Sequence, residues 1–165
     1  MLIEEKTSNQ LGMLYGAPWK KDNFLTGLPG KWTHSTIALI NDCVVGYLIM
    51  SQWQNNIHGH RMAMAEMTGR MRVKVAQALY QQTHKTAINQ GIESVTAIVP
   101  ENNTPTCKFY LNEGFDRLLG VSLQEFINGR KMNAHIESDL LVDNIPVPNE
   151  PDRSYVFRLH YKDKQ

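Results

Sequence analysis

The feature that most constrains this chain is the order of apolar run, amphipathic stretch, glycine and apolar run between residues 57 and 99. Ile57 to Met67 carries apolar side chains through much of its length and reads as a strand buried on both faces, with Asn55-Asn56 marking the turn before it. From about Val73 to Gln90 the positions Ala76, Leu79, Tyr80, Thr83 and Ala87 recur at helical spacing, and Gly91 supplies the left-handed residue that commonly ends a helix. Ile92 to Val99 returns as a strand. A strand, a helix and a second strand of these lengths imply a right-handed parallel crossover.

The flanks add antiparallel strands to that unit. Thr33 to Ile40 and Val44 to Trp53 are rich in β-branched and aliphatic residues, and Asn41-Asp42 between them is a natural turn, which predicts a hairpin. Leu2 to Thr7 reads as a first strand. A weakly patterned region then runs through Trp19 and Phe24 to the breakers Gly27-Leu28-Pro29-Gly30. Further on, Thr104 is a good N-cap with Pro105 at the first helical position, Gly114 stops that short helix, and Phe115 begins another strand. Ser154 to Tyr161 alternates like a half-buried final strand. Between these two lies Gly120 to Arg153, with a helical pattern at Leu123 to Met132 and a Pro-rich stretch at Ile145 to Pro151. At 165 residues the whole chain suits one domain, with 120–153 as an insertion before the last strand.

Charge and cysteine usage exclude some classes. A formal net charge of +1 gives no broad basic field for nucleic acid. Cys43 and Cys107 are the only cysteines; they sit in apolar runs, not at metal-knuckle spacing, and read as two buried thiols in a reducing compartment. The N-terminus lacks the pattern of a signal peptide, and no apolar run approaches the roughly 18 residues of a membrane span, so the expectation is a cytoplasmic protein with no membrane partner.

The chemistry is carried by Asn103-Thr104-Pro105-Thr106-Cys107-Lys108-Phe109-Tyr110-Leu111-Asn112-Glu113-Gly114-Phe115. An Asn just past a strand, a Phe-Tyr pair on a short helix, and Gly-Phe four and five positions beyond the Tyr form a pattern that resembles the GNAT superfamily of acyl-CoA-dependent N-acyltransferases. The resemblance implies an α/β (α+β) fold: a mixed, mainly antiparallel sheet whose central parallel strand pair splays to admit acetyl-CoA, with helices on either side. It implies that Asn103 hydrogen-bonds the pantetheine arm or the adjoining backbone and that Tyr110 protonates the departing thiolate. A phenol titrating near 10 is protonated at neutral pH and suits that task. The bland alternative for Tyr110 is a half-buried aromatic with its hydroxyl at the surface.

The segment Thr68-Gly69-Arg70-Met71-Arg72-Val73-Lys74-Val75-Ala76 packs three cations where the long helix begins. Placed beside the positive end of a helix they repel it unless an anion occupies the site, and a pyrophosphate resolves the conflict. The superfamily's loop runs Arg or Gln, two residues, Gly, one residue, then Gly or Ala. Counting back from Gly91 places its last small residue at Ala76, its first glycine at Lys74 and its Arg/Gln at Met71, so only Ala76 fits; Arg70 or Arg72 restores the arginine by a shift of one residue. The cofactor-binding set implied is therefore Met64, Arg70, Met71, Arg72, Val73, Lys74, Val75, Ala76, Asn103 and Tyr110.

Aminolysis of a thioester also needs a base for the amine. Glu66, at the end of the central strand, is the first candidate. Period-2 alternation puts His58, His60, Met62, Met64 and Glu66 on one face, which leaves His60 as a second candidate base and His58 with His60 as a metal pair lacking an evident third ligand. No metal is expected. Met62, Met64, Met67 and Met71 read as core and cleft lining, and Trp19, Phe24 and Trp32 fall where the superfamily places its acceptor-binding helices. The mechanism implied is direct attack of a primary amine, from a small molecule or a peptide, on acyl-CoA, with the oxyanion held by a backbone N–H near Met64. Residues 120–153 would form an acceptor lid or a homodimer contact. The altered loop keeps a second reading open, a non-catalytic CoA-binding or protein-interaction module, and His58, His60 and Glu66 a third, a metal-dependent hydrolase.

Overall fold

The computed structural model describes residues 19–100, 103–118 and 154–161. Two short helices, α1 (Lys21–Leu25) and α2 (Lys31–His34), lead into the hairpin β1 (Thr36–Ile40) and β2 (Cys43–Trp53), followed by β3 (Asn56–Met64), the long helix α3 (Gly69–Asn89), β4 (Ser94–Pro100), α4 (Thr104–Asn112), β5 (Asp116–Leu118) and β6 (Ser154–His160). One mixed sheet of six strands results, in the order β1-β2-β3-β4-β6-β5. Every described pairing is antiparallel except β3 with β4. Leu2 to Thr7, Leu123 to Met132, and the insertion as a whole lie outside the described residues.

The elements form where pattern and turn chemistry agree. Asn41 and Asp42 both take positive φ and close the β1–β2 hairpin. Gly91 and Gly114 take φ of 69° and 82° just past α3 and α4. All five helix positions singled out on α3 are buried, together with Val75. Val75, Leu79, Tyr80 and Ala87 pack with Leu48, Met50, Ile57, Val95 and Phe157 in a core on one face of the sheet, beneath α3 and α4. Gly46 of β2 makes room for this. A methyl group there would lie 3.1 Å from both Met64 Cγ and Val75 Cγ1, so its absence lets the first part of α3 lie close to the sheet.

Several boundaries differ from expectation. Thr33 belongs to α2, not to the first hairpin strand, because Gly30 opens a turn of helix there. β3 stops at Met64, two residues short of Glu66, and α3 starts at Gly69 with Thr68 as N-cap, a full turn earlier than the apolar spacing alone suggested. Asn103, not Thr104, caps α4: its side chain accepts from the Thr106 N–H at 3.3 Å, which moves Pro105 to the second helical position. β6 is not half-buried. It is inserted between β4 and β5, and adjacent residues Val156 and Phe157 are both fully covered. Cys43 is exposed at the tip of the hairpin, and Cys107 is half-buried.

On the opposite face Trp19, Tyr47, Ile49 and Ala63 form a second, smaller cluster with Phe24 against it. The α1–α2 corner that delivers Trp19 and Phe24 is held by Lys31. Its ammonium is buried and donates to the carbonyls of Asn23 (3.0 Å), Phe24 (2.7 Å) and Thr26 (2.8 Å), covering the C-terminal end of α1, which has no basic residue of its own in its last turn. Burial lowers the pKa of this ammonium, so the three carbonyls are what keep it in place.

Two stability predictions follow from these contacts. Lys31→Met keeps the apolar stem but strands the carbonyls, and we expect it to lower unfolding free energy by about 2 kcal/mol in urea titrations. Asn103→Ala should remove about 1 kcal/mol in the same measurement, with Asn103→Asp restoring most of it.

Candidate active site

The site begins where β3 and β4 part. They pair in parallel only from Asn56↔Ser94 to Gly59↔Ala97, yet β3 runs on to Met64 and β4 to Pro100. At the same point the β2–β3 ladder skips a residue. Ile49 faces Arg61 and Met50 faces Gly59, so His60 is the extra residue of a β-bulge, which bends β3 as it leaves β4. Beyond this point no described strand pairs with the β4-facing edge of β3.

The bulge also changes which side chains share a face. Met62 and Met64 pack on the core beneath α3 and α4, and a methyl group added at Gly59 would lie 3.4 Å from Met50 Sδ and 3.5 Å from Tyr80 Oη on that same side. His58 and His60 point the other way. His60 Nε2 and Ser51 Oγ are 2.6 Å apart, His58 Nδ1 and Thr96 Oγ1 3.0 Å, and the two imidazoles meet edge to face at 5.0 Å. The expected single face of His58, His60, Met62, Met64 and Glu66 is therefore broken, because one inserted residue reverses the alternation. Glu66 lies past the end of β3 and is exposed.

On the helix face stands a hydroxyl pair. Tyr110 of α4 is 5% exposed, and its Oη is 2.5 Å from Tyr80 Oη of α3, itself fully buried. Tyr110 is stacked on Phe157 (5.2 Å, 20°) and meets Phe115 edge to face at 4.9 Å, while His84 Nδ1 bonds Tyr161 Oη at 2.7 Å behind Tyr80. Burial pushes the Tyr161 phenol well up. Tyr110 is thus not a surface aromatic. Its hydroxyl partner, Tyr80 Oη, lies 3.5 Å from where a methyl group on Gly59 would stand.

A polar row occupies the other face. Ser51, His58, Thr96, Arg158 and Asp116 stand directly opposite one another across five strands. Asn56 Nδ2 donates to Thr96 Oγ1 at 3.2 Å and Ser94 Oγ to Asn56 Oδ1 at 2.8 Å, which ties the closed end of the β3–β4 pair together. Among the described residues no three His, Cys, Asp or Glu side chains converge on a metal position. Cys107 donates its thiol to the Pro100 carbonyl at 3.7 Å, a structural contact.

The start of α3 carries the cations. Arg72 N–H bonds the Thr68 carbonyl, so the open amides of the helix are those of Gly69, Arg70 and Met71. Arg70, Met71, Arg72, Val73 and Lys74 are all exposed, the first turn holds no acid, and Val75 and Ala76 face the core. Trp32 is exposed, with the Lys31 ammonium 5.4 Å from its ring centroid. Reasoning from sequence missed Tyr80, Thr96 and Ser51. Only Tyr80 carried a signal, since a tyrosine among apolar helix positions must place its hydroxyl somewhere. No described helix is long and apolar enough to cross a membrane.

Comparison with known proteins gives the family. No curated protein sequence matches the chain. Among solved structures, the ribosomal-protein-S18-alanine N-acetyltransferase of Escherichia coli superposes with a TM-score of 0.62 at 13% identity, over 96% of this chain and 83% of that one. Ard1 from Thermoplasma volcanium gives 0.55 at 19% identity, over 79% and 72%. The PaiA N-acetyltransferase of Thermoplasma acidophilum, solved with coenzyme A, gives 0.54 at 13% identity over 77% of this chain, which spans only 60% of that protein's length. Identities this low speak for the fold alone, which is a GNAT-like mixed α/β sheet. The model of the acetyltransferase (GNAT) family matches residues 6–115, two-thirds of the sequence, and the chain belongs to that family.

Proposed function

We propose that this chain is an N-acetyltransferase that moves an acetyl group from acetyl-CoA to a primary amine by direct attack while both are bound. The observation that carries the reading is the parting of β3 and β4 beyond Gly59 and Ala97, with a cationic helix start following β3 in the chain and a buried phenol in the core on the helix-covered face. Acetyl-CoA supplies the activated thioester. Its chemistry fits the donors present: a pyrophosphate suits the open amides of Gly69, Arg70 and Met71 with the guanidinium groups of Arg70 and Arg72. An extended arm bearing two amides suits the stretch of β3 beyond Gly59, where its pairing with β4 has ended.

Within that reading Lys74, exposed on the second turn of α3, adds charge outside the amide nest, and Val73 contributes surface beside it. Val75 and Ala76 act by packing, holding the helix start against Gly46. Asn103 fixes the start of α4. Tyr110 donates the proton that the leaving sulfur takes up, and a backbone N–H of β3 near Met64 meets the thioester oxygen. For the amine's proton we favour His60 over Glu66, because His60 is half-buried at the bulge and held by Ser51, whereas Glu66 is exposed beyond the strand. The imidazoles and the phenol lie on opposite faces of the sheet, which separates the base from the acid.

Calorimetric titration with acetyl-CoA tests the cofactor. We expect one site of micromolar affinity, weakened about tenfold by Arg70→Ala and again by Arg72→Ala; absence of binding to the unmodified protein would sink the reading. Tyr110→Phe should leave that affinity within about twofold and lower kcat by about 10² or more, measured as CoA release with a panel of primary amines.

A further inference from the structure

We infer that Tyr80 is a positioning residue for the acid, holding the Tyr110 hydroxyl toward the opening and stabilising it once its proton has gone. This rests on the acyl-transfer reading above. The two hydroxyls are 2.5 Å apart, both side chains are buried, and Tyr80 Oη lies 3.5 Å from where a methyl group on Gly59 would stand, at the last paired residue of β3. One hydrogen joins the two oxygens. If Tyr110 is to give its own hydrogen to a group in the opening, the shared hydrogen must come from Tyr80.

The energetics ask for such a partner. When the amine has attacked and the carbon–sulfur bond breaks, the electron pair goes to sulfur, and the Tyr110 O–H bond breaks as the S–H bond forms. A phenol ordinarily titrates near 10 and a thiol near 8.5, so that transfer is unfavourable by roughly thirtyfold with both groups in water. A hydrogen bond donated by Tyr80 strengthens as charge builds on Tyr110 Oη and offsets that deficit. The nitrogen gives up two protons over the reaction: one replaces the hydrogen lost by Tyr110, by way of solvent, and the other leaves to solvent.

The place of Tyr80 in the helix supports this. It stands on the core face of α3 between Leu79 and the buried Thr83, where an apolar side chain would pack without needing a partner. Its ring contacts Phe109, Tyr110, Phe115 and His84 within 5.9 Å, so the hydroxyl direction is set by packing on all sides. A phenylalanine keeps every one of those ring contacts and loses only the oxygen.

The experiment is a double-mutant cycle on CoA release from acetyl-CoA with the amine panel, using the full chain and thermal unfolding to verify that each variant is folded. Tyr80→Phe should lower kcat by about 10- to 100-fold with KM for acetyl-CoA within about twofold. On the Tyr110→Phe background it should lower kcat no further, since the group it serves is gone. Equal losses on both backgrounds, or a rise in KM that accounts for the loss, would make Tyr80 an ordinary packing residue. Unchanged kcat in Tyr80→Phe alongside a loss in Tyr110→Phe would overturn the role of Tyr80 and leave acyl transfer standing. Absence of CoA release by the unmodified protein would overturn both.

Discussion

The candidate site depends on the parallel pairing of β3 with β4 ending after Gly59 and Ala97. Where two interior strands separate, their backbone donors and acceptors turn from each other to other partners. The separation is built in. Asn56, Ser94 and Thr96 bind the closed end through side chains, and the extra residue at His60 bends β3 just past its last pairing with β4. The opening therefore has a fixed depth, set by four residue pairs, and a fixed floor.

That floor has unlike sides. Beneath α3 and α4 it is lined by methionines and aromatic rings with a single hydroxyl pair among them; on the other face it carries imidazoles, hydroxyls and the row that ends at Arg158 and Asp116. The bulge creates this contrast, because without it Met62 and Met64 would share a face with the histidines. A reaction that must take a proton from one reactant and give one to another gains from such a division, since base and acid cannot neutralise each other directly. The Met side chains then serve as adaptable packing for whatever enters between them.

The sequence was most legible where local chemistry and periodicity agree. The crossover from β3 through α3 to β4, the Asn41-Asp42 turn, and the glycines after both helices were all readable, because each rests on a residue with few conformational options. The motif from Asn103 to Phe115 fell on a strand, a cap, a helix and a stop in the order expected. The start of α3 was harder. Its first turn is exposed on every side and carries no apolar stripe, so periodicity detects the helix only from about Val73 onward. The bulge was not legible at all: alternation in Ile57 to Met67 looks continuous on paper, and which residue is inserted depends on the register with β2. Cys43 misled for the converse reason, since an apolar run at a hairpin tip does not bury its first residue.

The position of Tyr110 shows how far such a site reaches along the chain. The Asn103 cap and the Gly114 stop determine the phase of α4, and that phase turns Tyr110 inward. What the ring then rests on is Phe157, near the end of the sequence and well beyond the residues 6–115 that the family model matches. Phe157 is held because β6 is threaded between β4 and β5, pairing with β4 over seven residues. The phenol is therefore positioned by three separate segments: α4 gives its direction, α3 gives its hydrogen-bond partner and β6 gives its floor. Loosening β6 would disturb the phenol while leaving the opening and the cationic helix start in place, so the two features are separable in this fold.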